Sequence, residues 1–202
     1  MRFWRAALVL GLVVAGATQA NADGFELNPV PSMPYTLYTF TAPATGTDVV
    51  SLGFRNDPDY DAVDDISVTE NGGPNLVLNG GFETGDLSDW AFYGNTGFTA
   101  VSTGFDGYLP HSGTYFMYVG PVGSDGFITQ SFTDTPGGTL TYSVWVAGNG
   151  TSPSDMCMTD TTLVTACSVL PAGSPAVPEP ASMALLGSGL LGLAGAVRRR
   201  RR

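Results

Sequence analysis

The sequence predicts an all-β domain, a sandwich or barrel, set between two short ends that act as addresses rather than as fold. Three observations predict it. Glycine and proline are abundant, 27 and 14 of 202 residues, and they recur at short intervals through the middle of the chain. Aspartate far outnumbers glutamate there, alongside Thr, Ser and aromatics, a mixture suited to turns and strands rather than helices. No segment of the middle keeps a helical period for three turns, whereas several short stretches alternate with period two.

Taken in order, the predicted strands are residues 35–41, 49–55, 63–69, 75–83, 88–93, 114–119, 126–133 and 139–147, each bounded by Gly, Pro, Asn or Asp. The clearest alternation is the last. Leu140, Tyr142, Val144 and Val146 are expected to face the core, with Thr141, Ser143, Trp145 and Ala147 on the other side. Trp90 is expected in the core beside Phe82. A middle of about 150 residues suffices for one domain with a real core.

Charge excludes one class of function. There is no lysine, and seven of the eight arginines sit at the extreme ends, leaving Arg55 alone against seventeen acids between 23 and 176. Such a surface repels phosphate, so nucleic acid is not an expected partner, and it attracts cations.

The N-terminus reads as a signal peptide over 1–22. Arg2 and Arg5 precede an apolar run, and Ala20-Asn21-Ala22 offers the small residues signal peptidase needs, with the cut expected before Asp23. An uncleaved anchor is the alternative, but the run is short for it. At the other end, Val177, Pro178, Glu179 and Pro180 precede an uncharged stretch, 181–197, and five consecutive arginines. Seventeen helical residues reach about 25 Å, the low end of a bilayer span. The arginines would stay on the cytoplasmic side, with the bulk of the chain outside.

That tail, 177–202, resembles the PEP-CTERM sorting signal of Gram-negative bacteria, with its three parts in order. The resemblance implies an exosortase as partner, cleavage near Glu179-Pro180, and delivery to the cell surface or extracellular matrix. A plain membrane anchor without processing is the alternative.

The middle carries a second resemblance. Asn-Leu-Val-Leu-Asn-Gly-Gly-Phe-Glu at 75–83, the run from Gly85 to Trp90, and His-Ser-Gly-Thr-Tyr at 111–115 are similar to the opening of bacterial carbohydrate-binding jelly rolls. The stretches at 35–41, 52–57 and 63–69 look like the closing strands of the same family. The halves stand in reversed order: closing half 25–69, opening half 75–148. Circular permutation and a decayed tandem repeat both account for that. Either predicts one composite jelly-roll sandwich over 23–150, with residues 70–74 closing a hairpin between 63–69 and 75–83. Residues 151–176, rich in Pro, Gly, Ser and Thr, read as linker.

The jelly-roll resemblance implies a structural Ca²⁺ held by Glu83 and by Asp64 or Asp65, with carbonyls from Ser112 or Gly113. Because neighbouring strand residues point to opposite faces, only one of the two aspartates is expected to face that site. It also implies a polysaccharide ligand, with Trp145, Tyr118, Tyr93 and Gln130 as candidate contacts. The Asn56–Asp61 loop lacks the Gly and terminal Glu of an EF-hand and reads as a solvated turn of weak cation affinity.

Catalysis has little support. His111 is the only histidine, and the chain has no nucleophile elbow, zinc-protease motif or phosphate loop. Cys157 and Cys167, the only cysteines, are expected to form a disulfide outside the cell, just beyond the composite domain. The function expected is a non-catalytic surface or matrix protein associated with polysaccharide. An extracellular carbohydrate-active enzyme or fragment, and a degenerate product without a stable fold, are the alternatives.

Overall fold

In the computed structural model, residues 24–161 and Cys167 are described. The signal peptide, the sorting tail and its span 181–197 lie outside them. Among the described residues, no helix is long and apolar enough to cross a membrane.

Ten strands follow in chain order: β1 (Gly24–Leu27), β2 (Met33–Pro43), β3 (Thr47–Asn56), β4 (Asp61–Glu70), β5 (Ala91–Gly94), β6 (Thr99–Ser102), β7 (Phe116–Val119), β8 (Gly126–Thr133), β9 (Thr139–Gly148) and β10 (Ser154–Thr159). They form two antiparallel sheets, β1-β10-β3-β8-β5 (sheet A) and β2-β9-β4-β7-β6 (sheet B). The core between them includes Val50, Leu52 and Phe54 of β3, Val63 of β4, Ile128 of β8, and Met156 and Met158 of β10. From β9 it receives the four residues that the alternation assigns to it: Leu140, Tyr142, Val144 and Val146 are buried. Tyr142 stacks on Phe40 across the β2–β9 pair, with ring centroids 4.5 Å apart.

Segments on both sides of the Asn71–Pro74 turn contribute to both sheets. From before it, β1 and β3 enter sheet A and β2 and β4 enter sheet B; the remaining strands come from after it. Strands from before and after the turn therefore share one interior.

Three expectations about elements are corrected. Residues 75–83 form no strand. The chain does turn back along β4: Leu76 N–H donates to Val68 O and Ile66 N–H to Gly80 O. Asn79 and Phe82 then adopt positive φ, which breaks the extended backbone. Residues 154–159, read as linker, form β10, an interior strand of sheet A between β1 and β3, so the sandwich continues to Thr159. The disulfide joins Cys157 to Cys167, with Cα atoms 5.4 Å apart; Cys157 sits within β10 rather than beyond the domain.

Candidate functional site

The outer face of sheet B carries the densest group of chemically capable side chains. β9 presents Trp145 outward, opposite Asp64 of β4 in the ladder. A β-bulge between Asp64 and Ser67 shifts the register there, and Asp65 has a φ of 50°. The extra residue changes the alternation, so both aspartates reach the same turn, against the expectation that only one would. The Asp64 Oδ2 accepts from the N–H groups of His111 (2.9 Å) and Ser112 (3.2 Å). Its Oδ1 accepts from Asp65 N–H at 2.8 Å. The Asp65 Oδ1 accepts from the Ser112 hydroxyl at 2.8 Å, and its Oδ2 lies 2.7 Å from His111 Nδ1.

Glu83 holds the far end of the turn. Its Oε1 accepts from Thr114 N–H (2.9 Å) and Tyr115 N–H (3.1 Å), and its Oε2 from Thr114 N–H (3.1 Å). Gly113 is required there. Its φ is 62°, and a Cβ would stand 2.2 Å from Glu83 Oε1. Burial, reinforced by the charge of Asp65, pushes the Asp64 carboxyl up to about 6 although main-chain donors pull it down.

The structure thus brings together all five residues expected at a calcium site: Asp64, Asp65, Glu83, Ser112 and Gly113. Every oxygen of the three carboxylates already accepts from a protein donor or faces the His111 ring. The set fits a self-contained clamp on the 111–115 turn better than an open cation cradle.

Above this clamp His111 stacks on Trp145, with centroids 3.9 Å apart and planes at 19°, and Tyr35 meets His111 edge-on at 5.3 Å. Beside it Tyr118 stacks on Phe105 at 3.9 Å, and Tyr60 packs edge-on against both. Burial and the neighbouring Asp64 raise the Tyr35 hydroxyl well above the usual phenol range.

The four residues expected to contact sugar do not converge. Trp145 and Tyr118 share the outer face of sheet B. Tyr93 lies on sheet A, stacked on Phe127 at 5.4 Å and packed beside the disulfide. Gln130, 8% exposed, points inward and ties a loop to sheet A. Its Oε1 accepts from Leu78 N–H, and its Nε2 donates to Leu78 O and Asp89 O. Alternation within β8 places Gln130 on the same side as Ile128 and Phe132, which the composition of the segment does not announce. Trp90 lies in the core beside Phe82 as expected, with its indole N–H donating to Asn79 O.

Sequence reasoning missed His111 as a ring partner of Trp145. Its position one residue after Pro110, in a turn opposite no predicted strand, gave no signal for that contact. Another missed group lies on sheet A, where Asp125, Asp155 and Cys167 place ligand atoms within 4.8 Å of one another. The sulfur is spent in the disulfide, and Asp125 Oδ2 accepts from Cys167 N–H. Burial, with help from the charge of Asp125, pushes the Asp155 carboxyl up to about 7.

Comparison with known proteins decides one point. Residues 176–202 match the PEP-CTERM protein-sorting motif. The chain carries an exosortase sorting signal. That signal marks an exported protein that passes the membrane and is sorted to the cell surface, with an exosortase as processing partner. No curated protein and no solved structure matches the chain.

Proposed function

We propose that the chain is a non-catalytic surface or matrix module that associates with extracellular polysaccharide through the outer face of sheet B. The observation that carries this reading is the Trp145–His111 stack with Asp65 beside it. A flat aromatic surface next to a carboxylate suits a sugar, offering one partner to its C–H face and another to its hydroxyls. The sorting signal is consistent with delivery to the place where such a polymer lies. In this reading signal peptidase removes 1–22, exosortase cuts near Glu179-Pro180 after the 181–197 helix has entered the membrane, and the cell is Gram-negative. The interleaving of strands from both halves in both sheets supports a permuted jelly roll as the scaffold. Calcium on Glu83, Asp64 and Asp65 belongs to the reading only as an exchange, in which the ion displaces donors of the 111–115 turn. The function does not depend on it. Fold alone does not establish a ligand.

The test incubates the full chain with a panel of polysaccharides and reads both retention and release of reducing ends. Retention without release is expected, with Trp145→Ala weakening it at least tenfold and Tyr93→Ala, on the other sheet, leaving it unchanged. Release of reducing sugar would favour the carbohydrate-active enzyme instead. The mass of the C-terminus on protein from native cells reads the cleavage.

A further inference from the structure

The inward-facing rows of the sandwich change character at one end. Along β3 the row runs Val50, Leu52, Phe54 and then Asn56. Opposite it β10 runs Met158, Met156 and then Ser154, which pairs with Asn56. In the other sheet β4 begins with Asp61, opposite the buried Val119, before Val63. The inward row of β9 ends at Gly148, where the lack of a side chain lets Val30 and Pro31 pack close against the strand. An apolar interior thus closes on an amide and a carboxylate, one from each sheet.

These two groups are fully enclosed: Asn56 is 0% and Asp61 1% exposed. No side-chain atom of Asn56 and no oxygen of Asp61 meets full hydrogen-bond geometry among the described residues, although the Asn56 side chain and the Asn149 N–H lie near enough to Asp61 to pull its carboxyl down against the effect of burial. Ser154 beside them is fully used, accepting from Val30 N–H and donating to Thr151 O. An unpaired buried carboxylate is among the costliest groups a fold can hold. Among the described residues no ion pair offsets it, and Arg55 is engaged with Asp57. Further oxygens stand close by. A Cβ on Gly148 would lie 2.5 Å from Pro31 O and 3.3 Å from Asp61 Oδ1, so both approach the same point. The Asp59 carboxylate, which accepts from the Thr151 hydroxyl at 3.4 Å, adds negative charge at the same corner.

We propose that this enclosed corner binds a divalent cation of the calcium type, held by Asn56 Oδ1 and the Asp61 carboxylate between the two sheets. The donors are hard oxygens without nitrogen or sulfur ligands, which selects calcium over zinc. The ion joins sheet A to sheet B where the β3–β4 connection crosses between them. The site is separate from the Glu83, Asp64 and Asp65 clamp, whose oxygens are already occupied, and it does not rest on the polysaccharide reading.

The experiment uses the full chain, stripped with a chelator and titrated with Ca²⁺, and with Tb³⁺ as a luminescent probe excited through the protein's aromatic residues. The native chain is expected to take up one equivalent that Asp61→Asn lacks, and to melt at higher temperature with Ca²⁺. Glu83→Gln is expected to keep that equivalent. Asn56→Asp, adding a second carboxylate, is expected to tighten binding at least fivefold, and it provides a readout should Asp61→Asn fail to fold. The inference is overturned if the folded native chain takes up no ion. It is equally overturned if uptake survives Asp61→Asn unchanged, if Glu83→Gln alone abolishes it, or if Asn56→Asp weakens it.

Discussion

Two acidic regions lie only a few residues apart along β4 and are solved in opposite ways. At the bulge, Asp64 and Asp65 face outward and hold the 111–115 turn, with every carboxylate oxygen partnered. At the start of the strand, Asp61 faces inward beside Asn56, and none of its oxygens completes a well-formed hydrogen bond among the described residues, with only the Asn56 side chain and the Asn149 N–H near it. Composition does not separate them, since both belong to one acid-rich stretch. The difference is that a strand's outer face can recruit main-chain donors from a loop laid across it, whereas its inner face meets side chains already committed to the core. An acid can therefore serve as a clamp on one side of a strand, while on the other its charge has to be neutralised, by a proton or by a cation.

The largest break in that comparison comes from the clamp. Asp64→Ala leaves the N–H groups of His111, Ser112 and Asp65 without their acceptor. It should cost about 3 kcal/mol, read as a lower urea midpoint at unchanged slope. Gly113→Ala attacks the same turn from the backbone, through a left-handed φ and a contact with Glu83, and should cost about 2 kcal/mol in the same measurement. The inner corner should respond with the opposite sign. In chelator, Asp61→Leu removes an uncompensated group and should stabilise by about 1 kcal/mol, and calcium should then have no effect on the melt. A loss of stability in chelator would show that Asp61 is satisfied within the fold.

A slope with pH is expected as well, carried by the buried acids of both regions. Burial raises the Asp155 and Asp61 carboxyls to about 7, with Asp125 and Asp59 adding to the respective shifts, and raises Asp64 to about 6. In the unfolded chain each loses its proton near 3.9. Between those limits the folded state holds protons that the unfolded state has released, so unfolding free energy falls as pH rises. Metal-free protein should therefore melt higher at pH 4.5 than at pH 7.5, with no further loss from these groups above about pH 8. A melt that rises over that window would contradict the burial of these acids.

Much of the fold was legible because period-two alternation and turn chemistry act locally. The strands predicted at 35–41, 49–55, 63–69, 126–133 and 139–147 all lie within observed strands, and the core face of β9 follows from its alternation alone. β10 was not legible. Ser-Asp-Met-Cys-Met-Thr contains one β-branched residue and follows a Pro/Ser-rich turn, so its local propensity is weak. It becomes a strand because β1 and β3 leave a place for it. The site was legible as a set of residues and not as an arrangement. Glu83, Asp64, Asp65 and Ser112 lie around one turn, but the bulge that turns both aspartates the same way depends on β4 keeping register with β9.

By itself the sequence determined the all-β class, the inward face of the best strand, the possibility of the Cys157–Cys167 bridge and the sorting signal at its end. Each of these depends on residues near one another in the chain. Only the tertiary structure decided that Tyr93 and Trp145 stand on different sheets, that Gln130 is enclosed, and that Asn56 and Asp61 are buried together at the end of the core. Those outcomes depend on which strands become neighbours, and pairing between distant segments is set by the packing of the whole interior rather than by any single stretch of chain.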